Sequence, residues 1–123
     1  MCGRFYVPED SEIAMLRKVI ENLESRNVTV KTGEVSPGDV AAVIAGNREL
    51  TPQPFGMLWG YHLPNGKLLF NARSETATQK AIFADGMAHR RCLIPASHYF
   101  EWQDTPDGKA KYAIAPKESS GML

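Results

Sequence analysis

The first clear periodicity lies at "PEDSEIAMLRKVIENLESRN". Ile13, Leu16, Ile20 and Leu23 recur at three and four residues, which lines up one apolar stripe and predicts an amphipathic helix. Asp10 or Ser11 is placed to cap its start. The pattern then changes. "VTVKTGEVSPGD" is β-branched and then rich in turn residues, and "VAAVIAG" is a short apolar run that suits a buried strand. "FGMLWGYHLPNGKLLFNA" reads as two strands around Asn65-Gly66, a dipeptide that supplies the positive φ of a tight hairpin. "SETATQKAIFADG" predicts a second, shorter helix, with Ser74 as N-cap and Gly86 as its stop. "RRCLIPASHYFEWQ" returns to strand, and "DTPDGKAKYAIAP" offers another hairpin around Asp107-Gly108.

These elements sum to an α+β fold: a curled, mostly antiparallel sheet or barrel-like core with two helices. One domain over residues 1–123 is expected, large enough to bury a single core. Lys+Arg and Asp+Glu balance at 14 each, so net charge favours neither a nucleic-acid partner nor its absence. Apolar runs are too short to span a bilayer, and no secretion signal is expected. Two cysteines, at 2 and 92, give neither a disulfide framework nor metal-ligand spacing. A reduced cytoplasmic setting follows, with no cofactor and no metal expected.

Cys2 raises the sharpest chemical question. A cysteine is ordinarily a small buried hydrophobe, and Cys92 reads that way. At position 2, however, removal of Met1 would leave an α-amine and a thiol on adjacent carbons. An α-amine titrates at about 7.7–8.0, so a usable fraction is neutral near pH 7. Such a 1,2-aminothiol condenses with an aldehyde through an imine and closes to a thiazolidine. Alternatively, the same residue could attack an amide, its own amine serving as base.

Other candidates gather around it. If the N-terminus runs as a strand, Arg4 shares a face with Cys2 and can hold a phosphate or carboxylate, or be a plain surface residue. Asn71 and Arg73 share a face in "FNARSET", just before a helix whose first turn offers N–H groups to anions; local capping is the other reading. Glu101 lies between Phe100 and Trp102, pointing either to solvent or into an apolar cleft. Spacing does not say whether His98 and Tyr99 reach a site, and Trp59 is either core or a stacking platform for a base.

"MCGRF", "SPGD", "WG" at 59–60, "NARSET" at 71–76 and "RCLIPASHYFEW" at 91–102 together resemble the SOS-response-associated peptidase (SRAP) family, in order as well as content. The resemblance runs from residue 1 to residue 123. It implies binding to single-stranded DNA carrying an abasic site, and covalent capture of the ring-opened sugar through Cys2 as a thiazolidine that shields the lesion. Lyase activity and a Met1-removing peptidase activity accompany that chemistry. By motif, Cys2 is the nucleophile, Asn71 positions its amine or the opened sugar, and Glu101 is the general acid/base. Arg4 and Arg73 would grip phosphates, Trp59 would lie near the bases, and Pro37 near the strand.

Two departures stand out. Many members carry Asp-Gly or a similar pair where this chain has Ser97-His98. Members are also usually longer, their later part supplying further strands and a catalytic His that His62, His89 and His98 do not replace. The chain therefore reads as the N-terminal part of the family domain, and an open sheet edge would favour self-association. The competing readings are a DNA-binding module with little catalysis and an N-terminal-Cys amidohydrolase, which would need Arg-Gly and Asn-Gly/Asp motifs to hold glutamine. The expected location is the cytoplasm, on the nucleoid when DNA is bound.

Overall fold

The computed structural model describes residues 2–9 and 13–117. Its centre is a four-stranded antiparallel sheet in the order β2-β1-β7-β8, built from Gly33–Val35, Arg4–Val7, His98–Thr105 and Gly108–Ile114. Two hairpins flank it: β3 (Val40–Gly46) with β4 (Pro52–Leu58), and β5 (Tyr61–His62) with β6 (Leu68–Leu69). An isolated bridge between Ile44 and Leu93 ties β3 to the segment before β7. The architecture is the expected α+β with curled antiparallel sheets, and among the described residues they do not close into a barrel.

The helix α1 spans Ala14–Ser25 and buries Leu16, Val19 and Leu23, with Ile13 and Ile20 half-buried beside them. The stripe is thus wider than the sequence spacing suggested. Expected caps Asp10 and Ser11 lie outside the described residues. The helix ends where Asn27 takes a positive φ of 57° and Val28 N–H donates to Leu23 O at 3.0 Å, which satisfies a carbonyl of the last turn. Leu16 packs with Phe5, Val7, Val35 and Ala41, while Leu23 packs with Val19 and Ala42, so α1 covers β1, β2 and β3. Leu16 and Leu23 are fully buried. Leu23→Ala is expected to cost about 2–5 kcal/mol, read as a fall in the denaturant midpoint.

Both hairpin signals hold. At "LPNGK", Gly66 sits at φ 77° and Asn65 Oδ1 accepts from Lys67 N–H at 3.1 Å. The second hairpin pairs Thr105 with Gly108, so Pro106-Asp107 is the loop and Gly108, at φ 122°, begins β8. Gly60 is required by space as well as by conformation: its φ is 109°, and a Cβ there would lie 2.8 Å from Leu68 Cδ1.

Three expectations are corrected. The second predicted helix is two helices, α2 (Ser74–Ala77) and α3 (Ala81–His89). The chain turns at Thr76, whose carbonyl accepts from both Gln79 and Lys80 N–H at 3.1 Å. Ser74 is the first helical residue rather than the cap, and Gly86 lies inside α3 without stopping it. Strand character before His98 is limited to Leu93, since Pro95 has no N–H to offer a ladder. Cys92, expected in the core, is exposed as a residue, although partial burial of its thiol pushes that group's pKa up.

Candidate functional site

Alternation along β1 divides its two faces. Phe5 and Val7 point into the core, while Arg4 and Tyr6 point away. Its partner strands follow suit: Phe5 faces Val35 and Tyr99, and Tyr6 faces Glu34 and His98. Two surfaces result, and the expected site residues split between them.

On the core side, three segments meet at Gly3. A Cβ on Gly3 would lie 3.8 Å from the Phe70 ring, so the residue before Asn71 rests against the start of β1. The register Arg4↔Phe100, continued one step, sets Gly3 opposite Glu101. Glu101 alternates with Tyr99 and so lies on the core side, half-buried and paired with Tyr112 across β8. Cys2 is half-buried next to this junction, its thiol donating to Arg4 O at 3.1 Å. Asn71 is half-buried and lines an aromatic-walled cavity. The segments that carry Cys2, Asn71 and Glu101 therefore converge, although the last two are 30 residues apart and far from Cys2 in sequence.

Trp59 belongs to the same junction. Its ring lies 5.1 Å from Phe5 and 6.5 Å from Phe70, and it is half-buried. Its backbone is clamped to the "SPGD" turn: Gly38 N–H donates to Trp59 O at 2.8 Å, and Trp59 N–H to Asp39 O at 2.9 Å. That turn closes on itself through Asp39 Oδ2, which accepts from Ser36 N–H at 2.8 Å. Pro37 is consequently held beside Trp59, half-buried. Trp59 thus serves the packing of this junction.

Arg4 lies on the other side. It pairs with Glu34, which also accepts from Lys111 Nζ at 2.7 Å. The Arg4 guanidinium stands 5.9 Å from the Trp102 ring, and Lys111 Nζ stands 4.0 Å from Phe100 and 5.6 Å from Trp102. Lys111 foremost, and Arg4 after it, hold the Glu34 carboxyl below its ordinary 4.5. A depressed carboxylate contributes its pairing above the ordinary value and loses it as pH falls through the lowered one. Acidification through that lowered value, beneath 4.5, therefore frees both cations. His98 is on this face too, stacked 4.9 Å from Tyr6 with Nδ1 2.9 Å from Ser97 Oγ, on the opposite side of the sheet from Glu101.

Arg73 is exposed and precedes α2 without capping it through its side chain. That helix is a single turn, so the expected anion site at a helix start reduces to the Arg73 guanidinium itself. Glu34, Phe70 and Lys111 were missed by sequence reasoning. Phe70 adjoins the "NARSET" block and was within reach; Glu34 and Lys111 acquire meaning only through strand pairing. Among the described residues, no cluster of three His, Cys, Asp or Glu side chains could hold a metal. Nor, among the described residues, is any helix long and apolar enough to cross a membrane.

The family model for the SOS response associated peptidase (SRAP) matches residues 1–123. The abasic site processing protein YoaM of Bacillus subtilis is 28% identical over 128 residues, covering all of this chain and 56% of the relative. Abasic site processing protein YoqW of the same organism is 27% identical over 128 residues, covering all of this chain and 57% of the relative. A third, YobE, is 36% identical over 58 residues, 47% of this chain and 26% of the relative. The chain spans about half the length of the first two curated relatives.

Proposed function

The chain belongs to the SOS response associated peptidase family, and from that premise we propose that it processes abasic sites in single-stranded DNA by covalent capture through Cys2. Once Met1 is removed, the Cys2 α-amine attacks the C1′ aldehyde of the ring-opened sugar. Loss of water gives an imine. The thiolate then adds to the imine carbon, the imine nitrogen takes a proton, and a five-membered thiazolidine closes. Glu101 serves as the general acid/base, helping the sugar ring open and carrying protons during imine formation. Asn71 orients the amine or the opened sugar by hydrogen bonding. Arg73 and Arg4 hold flanking phosphates, with Trp59 and Pro37 against the strand. Lyase and Met1-removing activities would draw on the same groups. The protein would act in the cytoplasm, on DNA.

The observation that carries this reading is the junction at Gly3. There the start of β1, the Phe70–Asn71 segment and the Glu101 position of β7 come together under a motif set that spans the whole chain. The amidohydrolase reading loses support from Asn65-Gly66, which forms the β5–β6 turn rather than a substrate-holding loop. The alternative reading is a binding module with weaker chemistry. Cross-linking by the chain, compared with salt-sensitive binding to the same oligonucleotide, separates the two.

The Arg4–Glu34–Lys111 set yields its own prediction. If Arg4 grips phosphate, Glu34 competes for it. Glu34→Gln is therefore expected to tighten binding to any single-stranded DNA and to steepen the log–log salt dependence by about 0.7 for each additional phosphate that is neutralised. Fluorescence anisotropy across a salt series checks this; an unchanged slope would remove Arg4 from the phosphate path. β8 is hydrogen-bonded only to β7 among the described strands, and it carries exposed Tyr112 and Ile114. Among the described strands β2 ends the other side of the sheet; the proposal is that a second copy adds at β8, and sedimentation across a concentration series would detect such a dimer.

A further inference from the structure

A cavity of about 380 Å³ opens behind Asn71, between the β5–β6 hairpin and α3. Its volume falls within the range of small-ligand pockets, about 300–1,000 Å³. Trp59, Tyr61 and Phe83 wall it, with Tyr61 and Phe83 edge-to-face at 5.6 Å. Tyr61 is 46% exposed, so part of its side chain is open to whatever enters. Two arginines border the cavity, and they are not equivalent. Arg90 is committed to Asp85, which also takes His89 at 3.2 Å. Arg91 makes no side-chain hydrogen bond or ion pair among the described residues. Aromatic faces, an amide that can donate and accept, and an uncommitted guanidinium are the groups that recognise one nucleotide: a base to stack, an edge to hydrogen-bond, a phosphate to pair.

The cavity's place matters as much as its lining. Trp59 and Phe70 belong both to its wall and to the packing around Gly3. Ala72 links it to the surface that bears Arg73. We propose that this cavity receives the nucleobase adjoining the abasic sugar, with Arg91 holding a neighbouring phosphate. The assignment rests on the proposed capture at Cys2 and adds a subsite to it. Seating the neighbouring base would fix the register of the strand, so that the baseless sugar falls at Cys2. Selectivity for base identity would be slight, since stacking serves every base.

Gly86 offers a way to close the cavity. It lies on the lining, inside α3, where a larger residue suits helix better than glycine does. A Cβ there meets only the Tyr61 hydroxyl, at 3.1 Å, the tip of an exposed side chain that can swing aside. Gly86→Leu should therefore fold and fill the space. The probe is a single-stranded oligonucleotide with a tetrahydrofuran abasic analogue, which has no aldehyde, and 2-aminopurine on one side of it or the other. Wild-type protein should quench the 2-aminopurine on one of the two sides by stacking. Gly86→Leu should abolish the quench and weaken binding about tenfold, the loss of one stacked base. Arg91→Ala should keep the quench, weaken binding and flatten the salt slope by about 0.7. DNA bound without a quench on either side, or a quench unchanged in Gly86→Leu, would overturn the proposal and leave the cavity as a packing face for other polypeptide. A parallel reaction with a true abasic site keeps the two claims apart. Cross-linking without quench sinks the subsite alone, and quench without cross-linking sinks the capture reading alone.

Discussion

Cys2→Ala is expected to lose the stable adduct with an abasic oligonucleotide while keeping a transient one. The variant retains its α-amine once Met1 is removed, so an imine still forms with the sugar aldehyde. It has no thiol to add to that imine, and hydrolysis returns the free components. Denaturing gels should show no cross-link for the variant under conditions where the wild type is largely converted. Borohydride, which reduces the imine to a secondary amine, should restore a band for the variant. A stable cross-link in Cys2→Ala without reductant would place the nucleophile elsewhere. DNA binding before chemistry should be unchanged, because among the described residues the Cys2 thiol donates to Arg4 O and supports no side-chain partner.

Glu101→Gln carries the second large effect. The residue lies half-buried on the core side of β7, opposite Gly3 when the Arg4–Phe100 register is continued one step. Removing a positioned general acid/base typically costs about 10²–10⁴ in rate. The expected outcome is a cross-linking rate lowered by that order, a flattened pH profile and an unchanged final yield, since the thiazolidine itself does not need the carboxylate. Gln keeps the shape and the hydrogen-bonding capacity, so a purely structural role would leave both rate and pH profile close to wild type. Timed quenches across pH 5–8 distinguish the two.

Local patterns were legible and distant pairings were not. The α1 stripe, the apolar β3 run and the Asn65-Gly66 turn are each decided within a few residues by side-chain period or by φ. Their structure follows the sequence closely. The division of "SETATQKAIFADG" into two helices was hidden because it depends on a turn at Thr76 in a stretch of acceptable helix formers. Exposure of Cys92 was hidden for another reason: its apolar neighbours Leu93 and Ile94 are themselves exposed, so local composition misleads there.

The candidate site shows the same division. The motif blocks pointed to Cys2, Asn71 and Glu101 but could not say that Gly3 is where their segments touch. That contact depends on a β1–β7 pairing between strands far apart in the chain, such as Arg4 with Phe100. Likewise, Arg4 read as an open cation, whereas Glu34, 30 residues away, and Lys111, 77 residues from Glu34, turn it into one member of a charged set. No periodicity in the sequence encodes that relation. The cavity beside Asn71 was equally invisible, because its walls come from a hairpin, a helix and the segment after it.

Covalent capture at Cys2 is tested most directly by intact mass of the 123-residue chain, before and after mixing with a single-stranded oligonucleotide bearing one abasic site. Loss of Met1 is expected in the first spectrum. The second should show a new species at protein plus DNA minus a water that survives denaturation without reductant. Finding only the two separate masses, from protein whose Met1 is gone and whose Cys2 is reduced, would contradict capture.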